Sequence, residues 1–180
     1  MTVLAPSRWH IMPLFAVRDG ICECRDGAEC RSPGKHPRIR GGVHNATNDE
    51  YQLEQWANQW PSTNYGVACG PVSDLLVIDV DQSHDGMQAW ASLTADHDAI
   101  DTVTSITGGG GLHLYFRHPG EPLKNSVGKI APGIDVRAAN GHVVLPGSTH
   151  VKGTYEWQAG RDPESIELAE VPEWLMNLMR

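Results

Sequence analysis

The stretch over residues 75–81 restricts the possible folds of this chain more than any other part of the sequence. It reads Leu-Leu-Val-Ile-Asp-Val-Asp, an apolar run that ends in two carboxylates one residue apart. Such a run predicts a buried strand, and strand periodicity places the side chains of Asp79 and Asp81 on one face. Two carboxylates beside a core repel each other, and a bound Mg²⁺ or Mn²⁺ would remove that repulsion. The alternative is a strand end whose acids simply face solvent.

The remaining hydrophobic pattern predicts an α+β fold with a mixed, mainly antiparallel sheet, because short strand-like runs outnumber helical segments. The predicted strands cover residues 9–17, 65–69, 75–80, 102–107, 112–117, 134–137, 143–145 and 154–157. Helices are predicted over residues 49–60, with Asn48 or Asp49 as the capping residue, and over residues 85–97 and 171–179. In the first helix, Tyr51, Leu53, Trp56 and Trp60 supply the apolar positions, and in the second Met87, Ala91 and Leu93 point inward. Residues 19–48 are turn-rich and predict an irregular insertion.

The length and the N-terminal segment point to one cytoplasmic domain. The 180 residues are enough for one well-packed domain or two small ones. No apolar run approaches the roughly 18 residues of a transmembrane helix. Residues 1–14 lack the pattern of a signal peptide. We therefore expect a cytoplasmic protein that does not bind membranes.

The charges are unevenly distributed along the chain. The formal net charge is −8, and residues 41–116 contain ten acids with no Lys or Arg. The basic residues concentrate in residues 31–40 and 117–155. The overall charge argues against a protein that coats nucleic acid by charge alone. The acidic stretch is either a solvated face or a set of acids that gather around cations opposite the basic segments.

Four glycines precede a histidine on a predicted strand. Residues 108–111 are all Gly, and His113 follows with leucines on both sides that point to the opposite face. Glycines such as Gly110 and Gly111 allow a backbone to approach a ligand and to turn its N–H groups toward phosphate oxygens. The alternatives are a flexible hairpin and a histidine that only serves the structure.

A third acid and a base lie two residues apart in the segment Gly-Ile-Asp-Val-Arg. Asp135 and Arg137 share a strand face, so they would place a further metal ligand beside a phosphate partner. The alternative is an ordinary ion pair on one strand, which contributes little to stability.

Three cysteines and a histidine form the fourth constellation. Cys22, Cys24, Cys30 and His36 match the ligand set of a closed tetrahedral zinc site. The alternatives are a disulfide with a spare thiol, which a reducing cytoplasm disfavours, and thiols that bind no metal. Cys69 lies within an apolar run and is expected to be a small buried hydrophobe.

Taken together, these motifs resemble the bifunctional primase–polymerase (prim-pol) domain of the archaeo-eukaryotic primase superfamily. The resemblance is carried by Gly-Lys-His-Pro at 34–37, Asn-Tyr-Gly-Val-Ala at 64–68, the 75–81 stretch, Gly-Gly-Leu-His-Leu-Tyr-Phe at 110–116, Asn-Ser-Val-Gly at 125–128, Pro-Gly-Ile-Asp-Val-Arg at 132–137 and Val-Val-Leu-Pro at 143–146. It implies one catalytic domain over residues 1–180, with an RRM-like catalytic sheet packed against a small α/β subdomain and a zinc-binding loop at about 20–40. Such domains occur in replication proteins of phages and plasmids, often ahead of a helicase, so a longer replication protein is expected.

The resemblance also implies a function and roles for individual residues. The function is template-directed nucleotidyl transfer, as DNA primase and DNA polymerase, with nucleoside triphosphates and single-stranded or primed DNA as partners. The three carboxylates at 79, 81 and 135 match residues that hold two catalytic Mg²⁺ or Mn²⁺ ions, and His113 matches a triphosphate contact. Lys35 and Arg137 match basic positions expected to bind phosphate. The family often has Ser where this chain has Gly111, so backbone N–H groups of the glycines would have to serve there.

Three other functions compete with this interpretation. In a phosphatase of the haloacid dehalogenase type, Asp79 would be the nucleophile, Asp81 an acid and Ser83 the expected hydroxyl, on a doubly wound sheet. A glycosyltransferase would use the two acids to hold Mn²⁺ and a nucleotide-sugar. A non-catalytic, zinc-stabilised nucleic-acid-binding module would leave the converging acids without a purpose.

Overall fold

Most apolar runs of the sequence become short strands. The computed structural model describes residues 5–180. The strands of this range, in chain order, are β1 (Ile11–Leu14), β2 (Val17–Arg18), β3 (Ile21–Cys22), β4 (Asn64–Ala68), β5 (Leu75–Val80), β6 (Thr104–Ile106), β7 (Leu112–Arg117), β8 (Ser126–Ala131), β9 (Ile134–Arg137), β10 (His142–Val144), β11 (Thr149–His150), β12 (Gly153–Thr154) and β13 (Glu156–Trp157). The helices are α1 (Glu50–Gln59), α2 (Gly86–Thr94) and α3 (Glu173–Met179), and short 3₁₀ turns cover Gly27–Glu29, Gly42–Asn45 and Gln82–His84.

The largest sheet has six strands in the order β13-β6-β7-β5-β9-β8. Each neighbouring pair in it is antiparallel. Strand β5 lies inside the sheet because its apolar side chains must be covered on both faces, and all of them are fully buried. The run of residues 75–80 therefore forms the strand that the sequence predicts, and β5 carries Asp79 into the middle of the sheet.

One face of this sheet is covered by α2 and α3. Leu76 and Ile78 of β5 point to that face and pack with Phe116, Trp90 and Leu175. The indole rings of Trp90 and Trp174 lie 6.3 Å apart between the two helices. Burial of these apolar side chains holds both helices against the sheet.

The opposite face packs against a three-stranded antiparallel sheet with the order β1-β4-β10. Leu75 and Val77 point to this side and share a core with Val67 of β4. Trp9 stacks on Tyr115 of β7 with ring centroids 5.5 Å apart. The smaller sheet covers only part of the face, and the uncovered part carries the polar residues of β5, β7 and β9.

The predicted α+β class is confirmed, with antiparallel sheets and few helices. Within residues 5–180, the parallel component of the predicted mixed sheet is limited to one isolated bridge between Phe116 and Ala169. The RRM-like description and the single domain over residues 1–180 stay predictions. The first four residues of that domain, and of the N-terminal segment 1–14, lie outside the described range. None of the helices described is long and apolar enough to cross a membrane.

Several local predictions were wrong in detail. Helix α1 begins after Asp49 as predicted, because the Asp49 carboxylate accepts a 2.8 Å hydrogen bond from the backbone N–H of Gln52. However, Tyr51 is 71% exposed, and in α2 the buried residue is Trp90 rather than Ala91. Packing of the large indole against α3 sets the rotation of α2, which an apolar count does not reveal.

Several short strands were not predicted. Strands β2 and β3 form a hairpin around the start of the segment expected to be irregular, and strand β11 and edge strand β8 were missed. Strand β8 gives little hydrophobic signal because it pairs on one side only, and its Val127 is 79% exposed.

Candidate active site

Three of the predicted site residues lie side by side in one row across the six-stranded sheet. The register pairs Asp79 of β5 with His113 of β7 on one side and with Asp135 of β9 on the other. Directly opposite residues of antiparallel strands share a face, so these side chains are neighbours. Arg137, two residues further along β9, lies on the same face.

The two carboxylates of the row share one guanidinium nitrogen. A terminal nitrogen of Arg137 lies 3.2 Å from Asp79 Oδ2 and 2.7 Å from Asp135 Oδ2. The other oxygen of Asp135 accepts a 3.0 Å hydrogen bond from the backbone N–H of Gly128. Burial opposes ionisation of Asp79, but the charges and hydrogen bonds of His113 and Arg137 outweigh it and hold the pKa of Asp79 at about 2. Asp79 is therefore held in its ionised form, and both carboxylates of the row contact the Arg137 guanidinium.

His113 is nearly enclosed, with 5% of its surface exposed. Its Nε2 lies 3.5 Å from Asp79 Oδ1, and the rings of Tyr115 and Tyr155 lie 6.2 and 5.9 Å away. Its Nδ1 is buried with no hydrogen-bond partner among residues 5–180. A buried polar atom without a partner is costly, and such atoms occur preferentially where a ligand or water completes the site.

Asp81 lies at the rim of the same cleft, but its carboxylate is engaged locally. The hydrogen-bonded ladder of β5 ends at Val80, but the Asp81 backbone stays extended, with φ −85° and ψ 128°, and its side chain lines the same cleft as that of Asp79. One Asp81 oxygen accepts hydrogen bonds of 2.7 Å from both the backbone N–H and the hydroxyl of Ser83, and the other lies 3.2 Å from His84 Nδ1. Burial opposes the shift, but these contacts lower the pKa of Asp81 below its ordinary value.

The glycine turn differs from the expected phosphate cradle. The N–H groups of Gly110 and Gly111 already donate to the carbonyl and hydroxyl oxygens of Thr107, each at 2.9 Å. A Cβ at Gly111 would lie 2.1 Å from the carbonyl oxygen of Val80. The Ser that the family often has at this position therefore does not fit here, and the two glycines shape the turn rather than offer free N–H donors. Gly109 lines the cleft instead.

A cleft of about 580 Å³ lies above the row, a size suited to a small-molecule ligand. Asp79, Asp81 and Asp135 form one side, which we call the carboxylate wall. Basic residues from other segments form a second side, the basic wall, which consists of Lys35, His142, His150 and Lys152. Burial lowers the pKa of His150, and the charges of Lys35 and Lys152 lower it further, which shows that both ammonium groups act on the same part of the cleft.

Sequence reasoning missed most of the basic wall. Of its residues only Lys35 was predicted, from the resemblance. His142, His150, Lys152 and Tyr155 also line the cleft. Each flanks a predicted strand, but single basic residues in a turn-rich segment carry no periodic or spacing signal. Proximity to the 143–145 and 154–157 strands is the one clue that the sequence contains.

The four predicted zinc ligands come together in the structure. One ligand atom from each of Cys22, Cys24, Cys30 and His36 lies within 4.8 Å of all the others. His36 Nε2 lies 3.5 Å from the sulfur of Cys22 and 3.4 Å from that of Cys30. Zn–S and Zn–N bonds of about 2.3 and 2.0 Å at a tetrahedral angle place sulfur and nitrogen about 3.5 Å apart, so the cluster fits a zinc ion.

Cys69 behaves as expected for a small core residue. It is buried in the core below the smaller sheet, and burial raises the pKa of its thiol to about 12. All four cysteines are free thiols, so the disulfide alternative is not realised in the structure.

The fold and the candidate site together indicate a protein that binds a phosphate-bearing substrate. An antiparallel sheet presents paired carboxylates and a histidine to a cleft with a basic second wall, which suits a substrate that carries phosphates. The phosphatase alternative does not fit, because it needs a doubly wound parallel sheet and the six-stranded sheet is antiparallel.

Comparison of the sequence with models of known protein families identifies the family of this chain. Residues 2–174 match the model of the family described as bifunctional DNA primase/polymerase, N-terminal. The chain therefore belongs to this family, whose members are primase/polymerase-type nucleotidyltransferases, and the resemblance seen in the sequence is confirmed. No curated protein matches the chain.

Proposed function

We propose that this domain joins nucleoside triphosphates to the 3′-hydroxyl of a strand on a DNA template, as a primase, a polymerase or both, in DNA replication. The observation that carries the proposal is the row of Asp79, His113 and Asp135 beneath a cleft whose other wall is basic. In the reaction, the 3′-oxygen forms a bond to the α-phosphorus while the bond to the bridging oxygen breaks. Pyrophosphate leaves, and the hydroxyl proton passes to solvent.

The carboxylate wall has the donor chemistry for Mg²⁺ or Mn²⁺. Carboxylate oxygens are hard ligands, and Arg137 already places positive charge between Asp79 and Asp135. Within residues 5–180, the three carboxylates do not approach one another as closely as the ligand atoms of the Cys/His cluster do. We infer that Asp79 and Asp135, with Asp81 at the rim, would hold two such ions. When bound, the ions would activate the 3′-hydroxyl and neutralise charge on the phosphates.

The chain's own residues would orient the nucleotide. Lys35 and Lys152 line the same cleft as the carboxylate wall, and there they would bind the β- and γ-phosphates. Arg137 would exchange its carboxylate contacts for phosphate oxygens. His113, whose Nε2 lies 3.5 Å from Asp79 Oδ1, would contact the triphosphate from the same face of the sheet. Such an orientation would put the α-phosphate over the carboxylates and the leaving pyrophosphate toward the lysines.

The charge distribution supports a modest affinity for the DNA template. The basic segments 31–40 and 117–155 supply the basic wall and Arg137, whereas residues 41–116 remain acidic. Repulsion between this acidic surface and DNA phosphates should keep template binding modest and sensitive to salt.

The proposal is tested by extension of a labelled primer and by de novo synthesis on single-stranded DNA, each with Mg²⁺ or Mn²⁺. The double substitution of Asp79→Ala with Asp81→Ala should abolish nucleotide incorporation when the variant is assayed at the same protein concentration as the wild type. A matched control exists in the same acidic stretch: Asp96 and Asp98 have the same spacing and are exposed away from the cleft. Asp96→Ala with Asp98→Ala changes the net charge equally and should retain activity. Full incorporation by the first variant would show that the assignment is wrong.

A further inference from the structure

A buried asparagine joins the two segments that carry the basic wall. Asn64 of β4 is 2% exposed. Its Nδ2 donates to the carbonyl oxygens of Gly34 at 3.0 Å and Thr149 at 2.7 Å. Its Oδ1 accepts from the backbone N–H of Thr149 at 2.8 Å and lies 3.2 Å from the Thr149 hydroxyl. Both donor hydrogens of the amide and its oxygen thus connect Gly34 and Thr149, and we call these three residues the junction.

Each side of the junction leads directly to lysines of the cleft. Lys35 follows Gly34, and its carbonyl oxygen accepts a 3.0 Å hydrogen bond from His142 Nε2. On the other side, Thr149 begins the β11–β12 hairpin that carries His150 and Lys152. The position of the junction therefore sets how far the two lysines lie from the carboxylate wall.

The two segments meet at contact distance. Gly34 is buried with a φ of +77°, and a Cβ there would lie 2.7 Å from the carbonyl oxygen of Thr149 and 3.1 Å from Asn64 Nδ2. The Thr149 hydroxyl also accepts a 3.2 Å hydrogen bond from the backbone N–H of Val17, at the start of the zinc-binding segment. The loop with the Cys/His cluster and the hairpin are therefore locked together through one polar centre.

The apolar cores are built from other side chains. Of the residues next to the junction, Tyr65 of β4 belongs to the core between the two sheets. If the junction acts on the basic wall, its loosening should move the wall while the apolar contacts between the sheets remain.

We propose that Asn64 is a positioning residue of the cleft: it holds Gly34 against Thr149, and thereby places Lys35 and Lys152 where the triphosphate of a nucleotide binds. This inference rests on the proposed function, because it takes the basic wall as the triphosphate site. Asn64 itself touches no substrate and acts through the lysines. Three hydrogen bonds from one side chain, two donated by Nδ2 and one accepted by Oδ1, connect it to the two segments more firmly than a single backbone contact would.

The test is calorimetric titration of the full chain with dATP in the presence of Mn²⁺. Asn64→Ser shortens the side chain and breaks the bridge, and we expect it to weaken dATP binding about tenfold, within the range for coupled neighbouring residues. Thr149→Val, which keeps the side-chain shape and removes only the hydroxyl, should weaken binding less and in the same direction. Thr102→Val is the control for the Thr-to-Val change, because the Thr102 hydroxyl is buried and bonded to backbone, at Tyr115 and Ala169, outside the cleft. It should leave dATP affinity unchanged even where it lowers stability.

A double-mutant comparison distinguishes an effect of Asn64 on the position of the lysines from a general loss of folded structure. In a Lys35→Ala background, Asn64→Ser should have a clearly smaller effect than in the wild type, since part of what it positions is gone. Amide hydrogen exchange should also accelerate in residues 31–36 and 149–154 of the Asn64→Ser variant, with the β5 and β7 amides unchanged. Wild-type affinity in Asn64→Ser, or an equal loss in both backgrounds, would overturn this inference alone. Failure of the wild-type chain to bind dATP with Mn²⁺ would overturn the proposed function and this inference with it.

Discussion

Asp79 should make the stability of the fold depend on pH in a way that one substitution removes. The pKa of its carboxyl falls from an ordinary value of 3.8 to about 2 in the folded chain, because His113 and Arg137 outweigh the effect of burial. Since a pKa difference of one corresponds to about 1.4 kcal/mol, the ionised Asp79 stabilises the fold by about 2.4 kcal/mol at neutral pH. The side chain is only 24% exposed, so solvent screening reduces this figure little.

The direction of the pH effect follows from which state takes up the proton first. Because the folded pKa is the lower one, the unfolded chain binds the proton first as the pH falls. The contribution is complete above about pH 5 and is lost as the pH falls through 3.8 toward 2. About 1.6 kcal/mol of it should be gone by pH 2.5. Asp79→Asn removes the titrating group, while Arg137 keeps its pair with Asp135.

The assay is urea unfolding of wild type and Asp79→Asn at several pH values between 6 and 2.5, without added divalent metal. The difference in the free energy of unfolding between the two proteins should shrink as the pH falls, because other acids contribute equally to both. Asp101→Asn serves as the control, since Asp101 forms an exposed ion pair with Arg161 at 3.1 Å. Its curve should run parallel to the wild-type curve. If the free energy of unfolding of Asp79→Asn also ran parallel to that of the wild type over this pH range, the proposed stabilisation of ionised Asp79 by His113 and Arg137 would be refuted.

Two further predictions concern the metal cluster and the glycine turn. Cys30→Ser should reduce bound zinc from one ion per chain to none by elemental analysis and lower the melting temperature, whereas Cys69→Ser should retain the metal; equal zinc in both variants would contradict the cluster. Gly111→Ser should lower the free energy of unfolding by about 1–3 kcal/mol, because its Cβ would meet the carbonyl oxygen of Val80. Gly109→Ser has no contact closer than 3.9 Å and should cost much less, so similar losses at the two positions would be inconsistent with the geometry.

Those parts of the fold that depend on neighbouring residues were predictable from the sequence. The buried strand at 75–80 was found because all of its side chains but one are apolar, and α1 was found because Asp49 caps it. The Cys/His cluster was found because its ligands lie within fifteen positions of one another. Edge strand β8 was missed because a strand that pairs on one side and exposes Val127 has no hydrophobic pattern to detect.

The candidate site was predictable in its members and not in its arrangement. Motifs identified Asp79, His113 and Asp135, but nothing local indicates that they occupy one row. Strand alternation predicted that Asp81 lies on the side of Asp79, and both line the cleft, but only the structure shows that Ser83 holds the Asp81 carboxylate.

The sequence by itself determined the α+β class, the strand faces of Asp79, His113 and Asp135, and the ligands of the Cys/His cluster. These follow from periodicity and spacing, which act over a few residues. Only the tertiary structure decided that Arg137 bridges Asp79 and Asp135, that Lys152 joins Lys35 in a basic wall, and that Asn64 ties the two segments together. The reason is that strand register and loop packing are set by burial of the whole core, so contacts between distant segments exist only once that core has formed.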